Sequence, residues 1–175
     1  MRTVVLVGTA HKFQIAATGD LASAAGEFRK FLRDLCNEHK VRAVAEEMSL
    51  HALREKGATE SVAQRLCAEL GLLHQFSDPC PQERCALGIR QDNDIRAEHL
   101  CDGWTQEQIE ADVLARGSAM SDRIRERFWW QKLQEFNVWP LVFVCGADHF
   151  APFATLLREA GVNVVEPDRD WEPHR

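Results

Sequence analysis

The chain has 175 residues, with 27 Asp and Glu against 21 Lys and Arg, a formal net charge of −6 and a pI near 5.6. That length suits a single domain with a core of its own. The acidic balance argues against binding driven by the charge of nucleic acid or an anionic membrane, which needs a basic face.

The first predicted strand is Val4-Val5-Leu6-Val7, which empties into Gly8-Thr9-Ala10-His11. A loop through Gly19 and Asp20 follows. Leu21, Ala24, Ala25, Phe28, Phe31, Leu32 and Leu35 then recur at helical spacing to about His39, which makes the first crossover. Residues 41–45 form a second strand closing on Glu46-Glu47. Ser49 caps a short helix stopped by Gly57, and Thr59 caps another with Val62, Ala63, Leu66 and Leu70 on its buried face, ended by Gly71. A third strand spans 72–76. From about 77 to 103 the pattern dissolves into an irregular excursion with Pro79, Pro81 and Gly88, and long loops of this kind often carry function.

Helical pattern reopens at Trp104, where Thr105 and Gln108 fit a capping box and Trp104 staples onto Ile109. It continues to about Phe136, with a kink or break at Gly117-Ser118. Arg123, Arg127 and Gln131 are spaced four apart and share a face. A fourth strand, 141–145, leads into Gly146-Ala147-Asp148-His149 and a helix whose first turn tolerates Pro152. A last strand at 162–165 is followed by a polar tail, 167–175. The apolar runs are far shorter than the roughly 18 residues of a membrane helix, and the start lacks the cleavage site and apolar length of a signal peptide. The expected compartment is the cytoplasm. The six cysteines mostly sit in apolar patterns, which fits reduced thiols, and Cys80 and Cys85 lack the second pair that zinc would need.

Alternating strands and helices with continuous apolar strands imply a single-domain, three-layer α/β fold: a mostly parallel sheet of about five strands covered on both faces. Ligands bind such sheets beyond the carboxyl ends of the strands, where strand order reverses. With the first and fourth strands as neighbours, the paired Gly-x-x-His elements bring His11 and His149 together there. Gly8 and Gly146 let backbone approach a ligand or cofactor closely. His149, at a helix N-terminus, is expected to be neutral, as a metal ligand or general base must be. Glu46 and Glu47 point to opposite sides of an extended chain, so one of them serves the site. Two histidines and a carboxylate suit a divalent metal that activates water, and without metal the same groups can share acid–base work on water. Arg127, with Arg123 a turn away, is placed to hold an oxyanion or a substrate carboxylate.

Gly8-Thr9-Ala10-His11 after the first strand, Glu46-Glu47 after the second, Glu126-Arg127 on a late helix and Gly146-Ala147-Asp148-His149 after the fourth resemble the superfamily joining TraB and PrgY proteins, TIKI metalloproteases, erythromycin esterases and ChaN. The resemblance implies hydrolysis of an amide or ester bond in a peptide or small molecule. The site it implies is His11, Glu46 or Glu47, Arg127 and His149, with His11, His149 and Glu46 as ligands to manganese, cobalt or zinc. Phe128 departs from the Asn or Asp that many TraB-type chains carry after the Glu-Arg pair, which leaves Arg123 as a rival to Arg127. The alternative is a non-catalytic module using the same crevice for a peptide or small ligand. No nucleotide cofactor is expected, because Gly8 to His11 has neither a Gly-x-Gly-x-x-Gly pattern nor a P-loop lysine. A homodimer is plausible if the tryptophan-rich helix exposes an apolar face.

Overall fold

The computed structural model describes residues 1–15, 21–99 and 102–173. Its strands are β1 (Thr3–Thr9), β2 (Ala43–Glu46), β3 (Leu73–Phe76), β4 (Leu141–Cys145) and β5 (Asn163–Trp171). They form one sheet in the order β3-β2-β4-β1-β5, parallel at every pairing. The expected α/β architecture is therefore present, with the first and fourth strands side by side.

Burial explains the unbroken apolar runs. Val5, Val7, Val44, Val142 and Val144 face one side of the sheet, packed against α1 (Leu21–Glu38) and α3 (Val62–Leu70). Val4, Leu6, Ala43, Ala45, Leu141 and Phe143 face the other, packed against α7 (Asp122–Phe136) and α8 (Ala147–Glu159). Since alternate residues point to opposite faces, a sheet covered on both must be apolar at each position. Fully burying each such Leu or Phe contributes about 1.5–3 kcal/mol.

The same packing locates the crevice. The chain leaves β1 and β2 for helices on the first face, and leaves β4 for α8 on the second. Because β4 lies between β1 and β2, its carboxyl end is flanked by two chains departing the opposite way. Such a reversal opens a gap above the strand ends.

Several local expectations change. Ser61, not Thr59, caps α3, its hydroxyl accepting from the Gln64 N–H at 2.9 Å. Ser49 caps α2 (Leu50–Glu55) as the spacing requires. The excursion is not structureless: it carries α4 (Pro81–Ala86) and α5 (Asp92–Glu98). The 105/108 capping box opens α6 (Gln106–Val113), but the Trp104 ring stacks on His99 at 3.9 Å. The break expected at Gly117 is a π-helical stretch, Leu114–Ser121. A side chain at Gly117 would crowd Asp92 Oδ1, 2.5 Å from a Cβ there. Pro152 lies in the second turn of α8 rather than the first, where it has no N–H to give the Asp148 carbonyl.

The supposed polar tail is largely strand. β5 runs to Trp171 beside β1 with two register shifts, and tolerates Pro167 because it is an edge strand. Trp171 anchors its end, buried against Phe13, Phe28 and Phe31 at ring distances of 5.5, 4.8 and 6.0 Å. Among the described residues, no helix is long and apolar enough to cross a membrane.

Candidate active site

A cleft of about 1410 Å³ opens above the carboxyl ends of the strands, and His11, Glu47, Asp122, Arg123, Arg125 and His149 are among the residues lining it. Glu47 is its centre. It follows β2 directly, its N–H donating to the Val144 carbonyl at 2.8 Å, and its side chain is 1% exposed. Oε2 accepts from the Gly146 N–H at 2.7 Å, which ties the end of β2 to the turn after β4. Oε1 accepts from Arg125 Nη2 at 2.6 Å. The same oxygen lies 3.5 Å from His11 Nε2 and 3.6 Å from His149 Nε2.

Each partner is delivered by a strand end or an inward helix face. His11 begins a short 3₁₀ turn after β1 and its side chain is 44% exposed. Its ring packs over Gly146, where an added Cβ would lie 3.6 Å from Nε2. His149 sits in the first turn of α8, buried, with Nδ1 3.0 Å from Glu126 Oε1 and Nε2 3.1 Å from Arg125 Nη1. A neutral ring with its proton on Nδ1 satisfies both contacts: Nδ1–H donates to Glu126, and Nε2 accepts from the guanidinium. Glu126 is itself buried, and its Oε2 forms an ion pair with Arg123 Nη1 at 2.7 Å. Arg125 also donates to Asp78 Oδ1 from Nε at 3.1 Å and from Nη2 at 3.0 Å. Trp129 Nε1 donates to that oxygen at 3.1 Å, and Arg84 pairs with the other Asp78 oxygen.

Charge follows this geometry. Burial alone would raise the Glu47 pKa, but the hydrogen bond from His11 and the charges of Arg125, His149 and His11 hold it down at about 2. Burial alone would lower that of His149, but Glu126, Glu47 and Asp122 outweigh it and raise the pKa above 6.5. The three carboxylates thus act on His149 in the opposite sense to the helix dipole. Arg125 opposes the second proton as burial does, and the three carboxylates outweigh both. Burial also raises the Asp122 pKa.

These shifts set a pH window. The stabilising contribution of Glu47 is full above its ordinary 4.5 and is lost as pH falls toward about 2. That of His149 is full below 6.5 and is lost as pH rises through its raised value. Unfolding midpoints measured against pH should therefore show both limbs, with the alkaline limb reduced in His149→Gln. An unchanged alkaline limb in that variant would remove His149 as its source.

Comparison with protein-family models, curated proteins and solved structures returns no match. The site therefore rests on its own geometry.

Of the residues singled out in the sequence, His11, Glu47, His149 and Gly146 meet at one point. Glu46 does not join them. It lies on the face of α1 and α3, its Oε1 accepting from Ser61 and 2.7 Å from His74 Nε2, because consecutive residues leaving β2 diverge. Gly8 lies against β5 rather than among the residues that line the cleft; a Cβ there would strike the Arg169 carbonyl. Arg127 is exposed on the far side of α7, and Arg125 reaches the site. The sequence pattern assigns no site role to Asp78, Asp122, Arg125 or Glu126, although Glu126 stands in the Glu-Arg pair. The signal available was the spacing of Asp122, Arg125, Glu126, Trp129 and Leu133, which puts polar and apolar residues on a single stripe of one helix.

The expected metal does not fit this arrangement as it stands. Among the described residues, no group of three His, Cys, Asp or Glu side chains is placed to hold a metal ion. Around Glu47 the reason is visible: the Arg125 guanidinium bonds both the carboxylate and the histidine that a metal would share.

Proposed function

We propose that the chain hydrolyses an ester or amide bond, with His11 as general base toward water. The observation that carries this reading is the convergence of His11 and His149 on the buried carboxylate of Glu47 at the floor of the cleft. His11 is the accessible member. With Nε2–H turned toward Glu47, Nδ1 is left free to accept a proton from water, and the carboxylate stabilises the imidazolium that forms. The water oxygen bonds to the substrate carbonyl carbon as its proton passes to His11. The carbonyl electrons move to oxygen, and the first-turn N–H groups of Ala147 and Asp148 open α8 beside that position. When the tetrahedral species collapses, the bond to the leaving oxygen or nitrogen breaks and the proton on His11 passes to that atom.

The test is turnover of p-nitrophenyl esters and amino-acid p-nitroanilides by the purified chain and by His11→Ala. Loss of a general base lowers kcat by about 10²–10⁴-fold. His11 is half-exposed, so the variant should fold as the wild type does, which far-ultraviolet circular dichroism checks. Wild type that cleaves none of these substrates, or His11→Ala that cleaves them unimpaired, overturns the reading. In the first case the cleft is better described as a binding site for a peptide or small ligand.

A further inference from the structure

Three separations around Glu47 Oε1 are close to those between ligands that share one ion, although among the described residues no complete ligand group is assembled there. Ligand atoms held about 2.0–2.2 Å from one ion with tetrahedral geometry lie a little over 3 Å from each other. Here His11 Nε2 and His149 Nε2 stand 3.5 and 3.6 Å from the shared carboxylate oxygen, and Asp122 Oδ1 stands 3.8 Å from His149 Nε2. The position such an ion would need is contested by nitrogen: Arg125 Nη2 is 2.6 Å from Glu47 Oε1, and Nη1 is 3.1 Å from His149 Nε2.

The guanidinium is held there firmly. Its side chain is 16% exposed, and its plane rests against Trp129 with Cζ 5.3 Å from the ring centroid. A guanidinium has five N–H bonds and stays protonated in proteins. Nε–H serves Asp78, the two on Nη2 serve Asp78 and Glu47, and the two on Nη1 face His149 and, at 3.5 Å, Asp122. Four of the five donors are engaged inside the protein and the fifth lies at ion-pair distance from Asp122, so Arg125 is committed to these side chains. Its work is done as a charge.

The geometry points to Arg125 as the built-in cation of this site, a positioning residue that takes the place of a divalent metal between Glu47 and His149 and masks a latent metal site formed by His11, Glu47, Asp122 and His149. Removing the guanidinium leaves two imidazole nitrogens and two carboxylates around one vacated position, a donor set suited to first-row divalent ions. The inference concerns occupancy by a cation and does not rest on the hydrolase reading.

Cobalt(II) is the probe, since its visible d–d bands report nitrogen and oxygen ligation without any enzymatic assay. Wild type, dialysed free of metal and titrated with cobalt(II), should stay colourless, and it should contain no stoichiometric manganese, cobalt or zinc as purified. Arg125→Gln should bind cobalt(II) stoichiometrically with strong bands, and Arg125→Gln/His149→Ala should lose them. Arg125→Lys, which keeps a cation, should stay colourless. Circular dichroism establishes that each variant is folded. Wild type that carries stoichiometric metal or gives His149-dependent cobalt bands overturns the inference, as does folded Arg125→Gln that binds no cobalt. Should Arg125→Gln fail to fold, Arg125→Gln/Asp78→Asn, which also removes the charge of the carboxylate that Arg125 paired, takes its place, and absence of cobalt bands in that folded variant overturns the inference equally. A failed hydrolase assay leaves all of these readings intact, so the two proposals fall separately.

Discussion

Glu47→Gln should abolish turnover and lower stability together. The change keeps shape and removes charge at a side chain that is 1% exposed and touches Arg125, Gly146, His11 and His149. Arg125 keeps Asp78 but loses the carboxylate that neutralises its Nη2 end, and breaking a buried pair by removing one partner costs about 3 kcal/mol. For a chain of this size that lowers Tm by roughly 10 °C. The loss should shrink as pH falls from 4.5 toward about 2, where the wild-type carboxylate itself becomes protonated. Thermal melts of both proteins across that range, with a p-nitrophenyl ester assay at neutral pH, check the two halves. A variant that melts with the wild type would mean that the carboxylate is not the charge on which the site is built.

Gly8→Ala should be nearly as damaging without touching a charged group. An added Cβ would lie 2.7 Å from the Arg169 carbonyl carbon and closer still to its oxygen, with Phe150 Cδ2 at 3.1 Å. Two of those atoms are backbone, so β5 must move off β1 to make room. Overpacking of this kind costs about 3 kcal/mol, or again roughly 10 °C in Tm. The damage should be local first. Amide exchange should speed up along Asn163–Trp171, which pairs with β1 on one side only, before it speeds up in β4, which is paired on both. Uniform exchange across the sheet, or an unchanged melt, would contradict the close approach.

The fold was legible because burial on both faces writes itself into composition. Stretches such as Val4 to Val7 and Leu141 to Cys145 are apolar at each position, and that alone implies a covered parallel sheet. Caps at Ser49 and Thr105 were legible for an equally local reason, a side-chain oxygen next to unpaired amides. What failed was non-local. β5 is held by Trp171 meeting Phe13 and Phe28, contacts with residues more than a hundred positions away, while its own Pro167 and acidic side chains look like a tail. The site divided along the same line. His11 and His149 stand just past strand ends and could be placed by topology. Arg125 could not, because its inward direction is set by Asp78, Glu47 and Trp129, and the helix surface offers Arg123 and Arg127 as equally plausible neighbours. Glu46 and Glu47 were rightly expected to diverge, but which one faced the cleft depended on which face of the sheet the later helices cover.

The walls and the floor of the cleft differ in what holds them. The floor is made of strand ends and cannot shift without disturbing the sheet, whereas one wall is made by α4, α5 and the turns around them, including Arg84, Arg90 and Arg96. The buried apolar residues of that stretch, Ile89 and Ile95, belong to neither of the two clusters that sandwich the sheet. Its exposed residues, Gly88 at positive φ excepted, are thus free to diverge with little penalty to folding. Randomising those exposed positions between 84 and 96 is the economical route to altering ligand preference, because such a library changes the shape and charge of one wall while every variant inherits the same floor.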